Sequence, residues 1–152
     1  MAVDTTAAIT VDRHRDDVAS YLWDPANDRE WIGGLRSARL VTPAPVAVGS
    51  RVQRVASFLG RRVEYLNEIT ELTPDRLVMR SVRAPFPMRI TYELHDAGGG
   101  ATQVAVRIEG DTGRFYALAG PLLARAVHRS VSRDLRTLKR VLEARTRPVP
   151  PR

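Results

Sequence analysis

FYALAGPLLARAVHRSVSRDLRTLKRV, residues 115–141, decides the fold. Val127, Val131, Leu135 and Leu138, followed by Leu142, recur at steps of three and four, which places them on one face of a helix. Arg125, Arg129, Arg133, Arg136 and Arg140 recur at the same steps on the roughly opposite face. The run reads as one long helix, bent near Gly120-Pro121. A helix with one long apolar stripe needs a partner surface of similar length. The only candidate is the series of strands that precedes it. From Pro121 onward the stripe is clean and anchors the fold. Around 115–120 the apolar side is rotated away from it, so that this part is set apart from the anchoring stripe.

Residues 2–11 carry β-branched side chains and read as a first or edge strand. A short helix is expected from Arg15, with Asp12 as its cap and Val18, Tyr21 and Leu22 as its apolar face. Asp24-Pro25 opens a second short helical piece, because Asp caps well and Pro suits the first helical position. Gly33-Gly34 ends it. Strands follow over 36–41, 51–59, 62–72, 76–82, 86–94 and 102–109, separated by turn signals such as Thr73-Pro74-Asp75 and Gly98-Gly99-Gly100. In the clearest strand, Val63, Tyr65, Asn67 and Ile69 face one way and Arg62, Glu64, Glu68 and Thr70 the other. The parity of 51–59 is open: Val52, Ala56 and Phe58 suggest one face inward, Val55 and Ser57 the other. Short connections imply antiparallel neighbours. The expected architecture is α+β: a curved antiparallel β-sheet wrapped around a long C-terminal α-helix, with two short helices between the first and second strands. It forms a single domain over 1–146, followed by a disordered tail at 147–152.

Composition narrows the function. The chain has 152 residues and no cysteine, which excludes disulfides and thiolate chemistry. No apolar run is long enough to span a bilayer as a helix, and no secretion signal is visible at the N-terminus. A cytoplasmic location is the default. The net charge of +7 invites a nucleic-acid reading, yet the basic residues are spread along the chain and all but Lys139 are arginine. No nucleic-acid partner is expected. His14, His95 and His128 lack metal-ligand spacing, so no metal is expected, and no cofactor motif is present. Gly98-Gly99-Gly100 lies between strands and no lysine follows, so it is a hairpin and not a phosphate loop.

The element order and its residues resemble the START-like (SRPBCC) helix-grip superfamily, especially its polyketide cyclase/dehydrase and lipid-transport branch. The resemblance rests on Asp16-Asp17-Val18 with Tyr21, Asp24-Pro25 through Trp31, Val48-Gly49-Ser50 and Gly60-Arg61-Arg62. It continues in the run from Glu68 to Pro74, Arg76-Leu77-Val78-Met79, the residues from Gly100 to Thr102, and the run from Asp134 to Lys139. It covers roughly residues 3–145. It implies a large hydrophobic cavity between sheet and long helix, used by relatives to bind or carry lipids and other apolar molecules, or to steer polyketide cyclisation and dehydration.

Within that frame the expected ligand-binding residues come from every layer. Trp31 would stand at the mouth, with Val55, Tyr65, Asn67, Met79, Ser81, Met88, Ile90 and Tyr92 on the sheet. Phe115, Leu118 and Leu122 would line the helix side. A buried phenol or amide without a partner costs about 1–3 kcal/mol, so Tyr65, Asn67 and Tyr92 should bond to one another, to water or to a ligand. The methionines adapt to irregular apolar shapes or simply fill core. Asp134, on the flank of the apolar stripe, is expected to pair with Arg54 or Arg80. No catalytic residue is assigned. Three readings stand: a module binding a small hydrophobic molecule, a cyclase or dehydratase in the same cavity, and an interaction protein with a vestigial cavity. The arginine stripe leaves contact with an anionic membrane surface open, and the sequence does not choose between monomer and homodimer.

Overall fold

A computed structural model describes residues 2–113, 115–116 and 120–145. Strand β1 (Ala2–Val11) leads into helix α1 (Arg15–Leu22) and a 3-10 helix (Pro25–Glu30). Six strands follow: β2 (Leu35–Leu40), β3 (Arg51–Phe58), β4 (Arg61–Thr73), β5 (Arg76–Arg83), β6 (Met88–Gly98) and β7 (Ala101–Asp111). Helix α2 (Gly120–Ala144) closes the described chain. The expected tail at 147–152 and Leu118 lie outside the described residues.

All strands join one antiparallel sheet of seven, in the order β1-β7-β6-β5-β4-β3-β2. Sequence neighbours pair through short turns, and the first strand returns to pair with the last, Ala7 opposite Val106. The sheet curls around α2, and α1 with the 3-10 helix closes one end. The expected helix-grip architecture is therefore present. Bulges in β4 opposite β5 shift the register between Leu66 and Asn67 and again between Ile69 and Glu71, which adds local bend.

Local chemistry explains the short elements. Asp24 caps the 3-10 helix by accepting the Ala26 N–H at 3.0 Å, with Pro25 at the first position. Asp12 does not cap α1: the N-cap is His14, without a side-chain bond, and the Asp12 N–H instead donates to Glu143 at 2.9 Å. At Gly34 φ is +77°, and an added Cβ would collide with the Ser57 carbonyl, so this exit from the 3-10 segment requires glycine. The β3–β4 hairpin turns on Leu59 and Gly60, with φ of 51° and 75°.

The long helix differs from its expectation at the start. It begins at Gly120, and Phe115 and Tyr116 lie in bends outside it. Its stripe then divides. Leu135, Leu138 and Leu142 are buried against Val11, Val18, Leu94 and Val104 in the main core. Burying each leucine contributes about 1.5–3 kcal/mol. The C-terminal half is also tied to the end of β1. Lys139 Nζ donates to the Thr10 carbonyl at 2.9 Å and pairs with Glu143, while Arg13 donates to the Glu143 and Arg145 carbonyls at 2.6 and 2.8 Å. The N-terminal half meets β1 through Thr5 Oγ1 to His128 Nδ1 at 3.1 Å and through Leu123, which shares a small buried cluster with Val3.

Candidate functional site

Between the N-terminal half of α2 and the curled sheet lies a cavity of about 200 Å³. Leu123, Val127, Ser130, Val131 and Asp134 face it from one side of the helix. Ala56 and Phe58 of β3, Val63 and Tyr65 of β4, Met88 and Ile90 of β6, Ile108 of β7 and Val3 of β1 face it from the sheet. Its lining is mostly apolar. An aromatic group closes one end: Tyr116 meets Phe58 edge-on at 5.6 Å and Phe115 at 4.9 Å, and Phe86 stands 5.3 Å from Phe115. Arg61 lies over the outer ring, 4.3 Å from the Phe115 centroid.

The polar atoms at this cavity are few. Asp134 is the principal one. Its Oδ1 accepts the Gly33 N–H at 3.0 Å, and it makes no ion pair with Arg54 or Arg80 among the described residues. Removal from water pushes its carboxyl up to about 6, against the opposing pull of the Gly33 bond and of Arg133. It therefore exists in both protonation states near neutral pH. Burial likewise raises the Tyr65 phenol above its ordinary range, keeping it a neutral hydrogen-bond donor.

Deeper in the core lies an ion pair that sequence reasoning missed. Arg54 donates through Nε and Nη2 to one carboxylate oxygen of Asp28, at 3.0 and 2.7 Å, and both residues are buried. The remaining Arg54 Nη1 meets the Met79 sulfur at 3.4 Å. Tyr92 stacks with Trp23 at 6.3 Å and tilts against Trp31 at 6.2 Å beside this pair. Nothing local in the sequence announces it: Asp28 sits in the polar run PANDRE, and Arg54 interrupts an otherwise mixed strand. The one signal was that Arg54 shares the parity of Val52, Ala56 and Phe58.

That parity is now settled. Val52 and Arg54 are buried, Arg54 stands opposite Tyr65, and Ala56 and Phe58 line the cavity. Val55 is on the other face, paired with Glu64, and does not line the cavity. Leu122 is a second correction, because it is 55% exposed while its neighbour Leu123 is 1% exposed and faces inward. Phe115 and Tyr116, which the expectation placed in the helix, lie in bends outside it, so a phase counted from residue 115 does not carry into α2.

The remaining expected residues sort by position. Tyr65, Met88 and Ile90 line the cavity. Trp31, Met79 and Tyr92 belong to the core around the Asp28–Arg54 pair. Phe115 supports the aromatic end from behind Tyr116. Ser81 spends its hydroxyl on the Met88 N–H at 2.9 Å. Asn67 is fully buried, and neither atom of its amide has a hydrogen-bond partner among the described residues. It stands outside the cavity lining. Leu123, Val127, Tyr116 and Asp134 complete the site without having been singled out for it. Among the described residues no cluster of His, Asp or Glu could hold a metal ion, and no helix is long and apolar enough to cross a membrane.

A curled seven-stranded sheet gripping a long helix over an apolar cavity defines a helix-grip protein. The chain belongs to the polyketide cyclase/dehydrase and lipid transport family, whose sequence pattern matches residues 2–143. No functionally curated protein matches it in sequence. Solved structures share the fold at low identity. A START superfamily protein from Mycobacterium smegmatis is 10% identical with a TM-score of 0.80, the match covering 92% of this chain and 97% of that one. An aromatase/cyclase from Streptomyces is 16% identical with a TM-score of 0.79 and 97% coverage of both chains. A Thermus thermophilus protein is 19% identical with a TM-score of 0.78, covering 93% of this chain and 97% of its own.

Proposed function

We propose that this protein binds one small, largely apolar molecule between its sheet and the N-terminal half of α2. The cavity carries the reading: about 200 Å³, walled by aliphatic and aromatic side chains, with a small set of polar atoms to orient the guest. Its size sets the ligand class. A dry apolar cavity of about 150 Å³ accepts benzene, so the space here suits a substituted one- or two-ring molecule or a short acyl chain. It falls below the roughly 300–1,000 Å³ of clefts for larger ligands. The aromatic end favours a flat, unsaturated guest through edge-to-face contact.

The test is native mass spectrometry and solvent extraction of the purified protein, followed by titration with an environment-sensitive naphthalene dye. Occupancy by a guest of this size supports the reading. A Val127→Phe variant, which fills the space from the helix side, should lose dye binding and keep the fold. Unchanged dye binding in that variant would place the guest elsewhere.

One observation favours a second reading, a cyclase or dehydratase working in the same space. Asp134 and Tyr65 both border the cavity, and a carboxyl poised near pH 6 can give and take a proton under physiological conditions. In such an enzyme Asp134 would protonate a departing hydroxyl or remove an α-proton, and the neutral Tyr65 phenol would hold a carbonyl. Asp134→Asn and Tyr65→Phe separate the readings: loss of turnover with guest affinity intact marks an enzyme, loss of affinity alone a carrier.

A further inference from the structure

Helix α2 carries an unbalanced outer face. Arg125, Arg129, Arg133, Arg136 and Arg140 are all exposed, and none forms an ion pair among the described residues. Over residues 120–142 the only acid is Asp134, which is buried against Gly33. Like charges four residues apart oppose helix formation, so this face costs stability in the isolated protein.

Next to it stands a leucine in a conformation that suits it poorly. Leu59 and Gly60 both have positive φ, the pattern of a tight hairpin turn that favours Asn-Gly. A leucine there is strained, and it is 46% exposed. It borders a surface hollow of about 310 Å³ together with Ala126, Arg129 and Arg133. Gly33, Ser57, Phe58 and Ser130 line both this hollow and the cavity, so the hollow adjoins that cavity and would serve as its vestibule. Leu122, the other strongly exposed leucine, lies one helical turn before Ala126. Nearby acids are occupied: Glu64 pairs with Arg62 at 2.9 Å, and Glu109 faces Arg107 at 3.7 Å.

We propose that this end of the molecule docks on an anionic membrane surface. The arginines of α2 would meet lipid headgroups while Leu59 and Leu122 enter the interface, which presents the vestibule to the bilayer. Charge complementarity supplies the attraction, and the exposed leucines select a bilayer over a nucleic acid or an acidic protein, neither of which offers an apolar layer beneath its charge. Docking does not depend on whether the cavity holds a guest or performs chemistry.

Flotation with phosphatidylglycerol-containing and pure phosphatidylcholine vesicles tests this. Binding is expected to the anionic vesicles only, and to weaken as salt rises. Each surface arginine contributes about fivefold in affinity, so replacing Arg125, Arg129 and Arg133 together with Gln should lower it about a hundredfold. Leu59→Asn should lower it about tenfold while leaving the melting temperature unchanged or raised, because Asn-Gly suits the turn. Equal binding to neutral vesicles, wild-type affinity in either variant, or binding to duplex DNA or an acidic protein in place of vesicles would overturn the proposal. A Val127→Phe protein that loses dye binding yet still floats with anionic vesicles separates docking from cavity occupancy.

Discussion

Replacing Asp134 with Asn should make the protein more stable at neutral pH and leave it unchanged in acid. In the fold the carboxyl titrates at about 6, whereas an unfolded aspartate titrates near ~4. Between those values the folded state holds a proton that the unfolded chain has released. Stability from this group is therefore full below about pH 4 and falls as pH rises through the folded value. Above pH 6 the ionised carboxylate, only 8% exposed, costs a constant amount, at most about 3 kcal/mol. Asparagine cannot ionise, and its amide oxygen can still accept the Gly33 N–H. The folded value of about 6 already includes the Gly33 bond and the pull of Arg133, so neither is deducted again. The expectation is a gain of about 2–3 kcal/mol at pH 7.5, or roughly 4–12 °C in melting temperature for a chain of this size. Thermal melts of both proteins, followed by circular dichroism at pH 4 and pH 7.5, measure it. A variant less stable than wild type at pH 7.5, or a gap of the same size at both pH values, would refute the account of Asp134 as a carboxylate held at a cost.

Other substitutions probe the surroundings. Asp28→Ala strands the buried Arg54 charge and should lower stability by about 3–5 kcal/mol in urea unfolding, with much of the loss recovered by adding Arg54→Met. Asn67→Leu removes two unpartnered polar atoms at a fully buried position and should raise the urea midpoint, by about 1–2 kcal/mol in stability. Leu123→Ala should cost about 2–4 kcal/mol, while dye titration shows the enlarged cavity accepting bulkier guests.

The architecture was legible because it rests on periodicity. Alternation over Val63, Tyr65, Asn67 and Ile69, and three-four spacing over Val127 to Leu142, each point to one buried face. The cavity lining was legible only where a strand's parity was unambiguous, as at Tyr65, Met88 and Ile90. Helix phase was lost at the N-terminal end. Counting the phase from Phe115 turned Leu122 inward, whereas the Val127–Leu142 stripe, carried back one turn, turns Leu123 inward. Val55 failed for a similar reason, since a buried arginine broke the alternation of β3. The Asp28–Arg54 pair is a long-range contact between two residues that each look solvated, and periodicity carries no information about it. Asp134 was expected to pair with an arginine, but a backbone N–H at Gly33 took that role, a donor that side-chain patterning does not reveal.

The lopsided fastening of α2 has a consequence for how a guest gets in. Its last turns hold three leucines in the main core and a set of bonds to the end of β1, while its first turns pack only the small cluster of Leu123 with Val3, Val63 and Tyr116 beside the cavity, and Thr5 bonds His128. Amide protons should therefore exchange with solvent faster along Leu123–Ser130 than along Leu135–Leu142, because freeing the former exposes a smaller packed cluster. Opening at that end would admit a guest while the main core around Leu135, Leu138 and Leu142 stays packed.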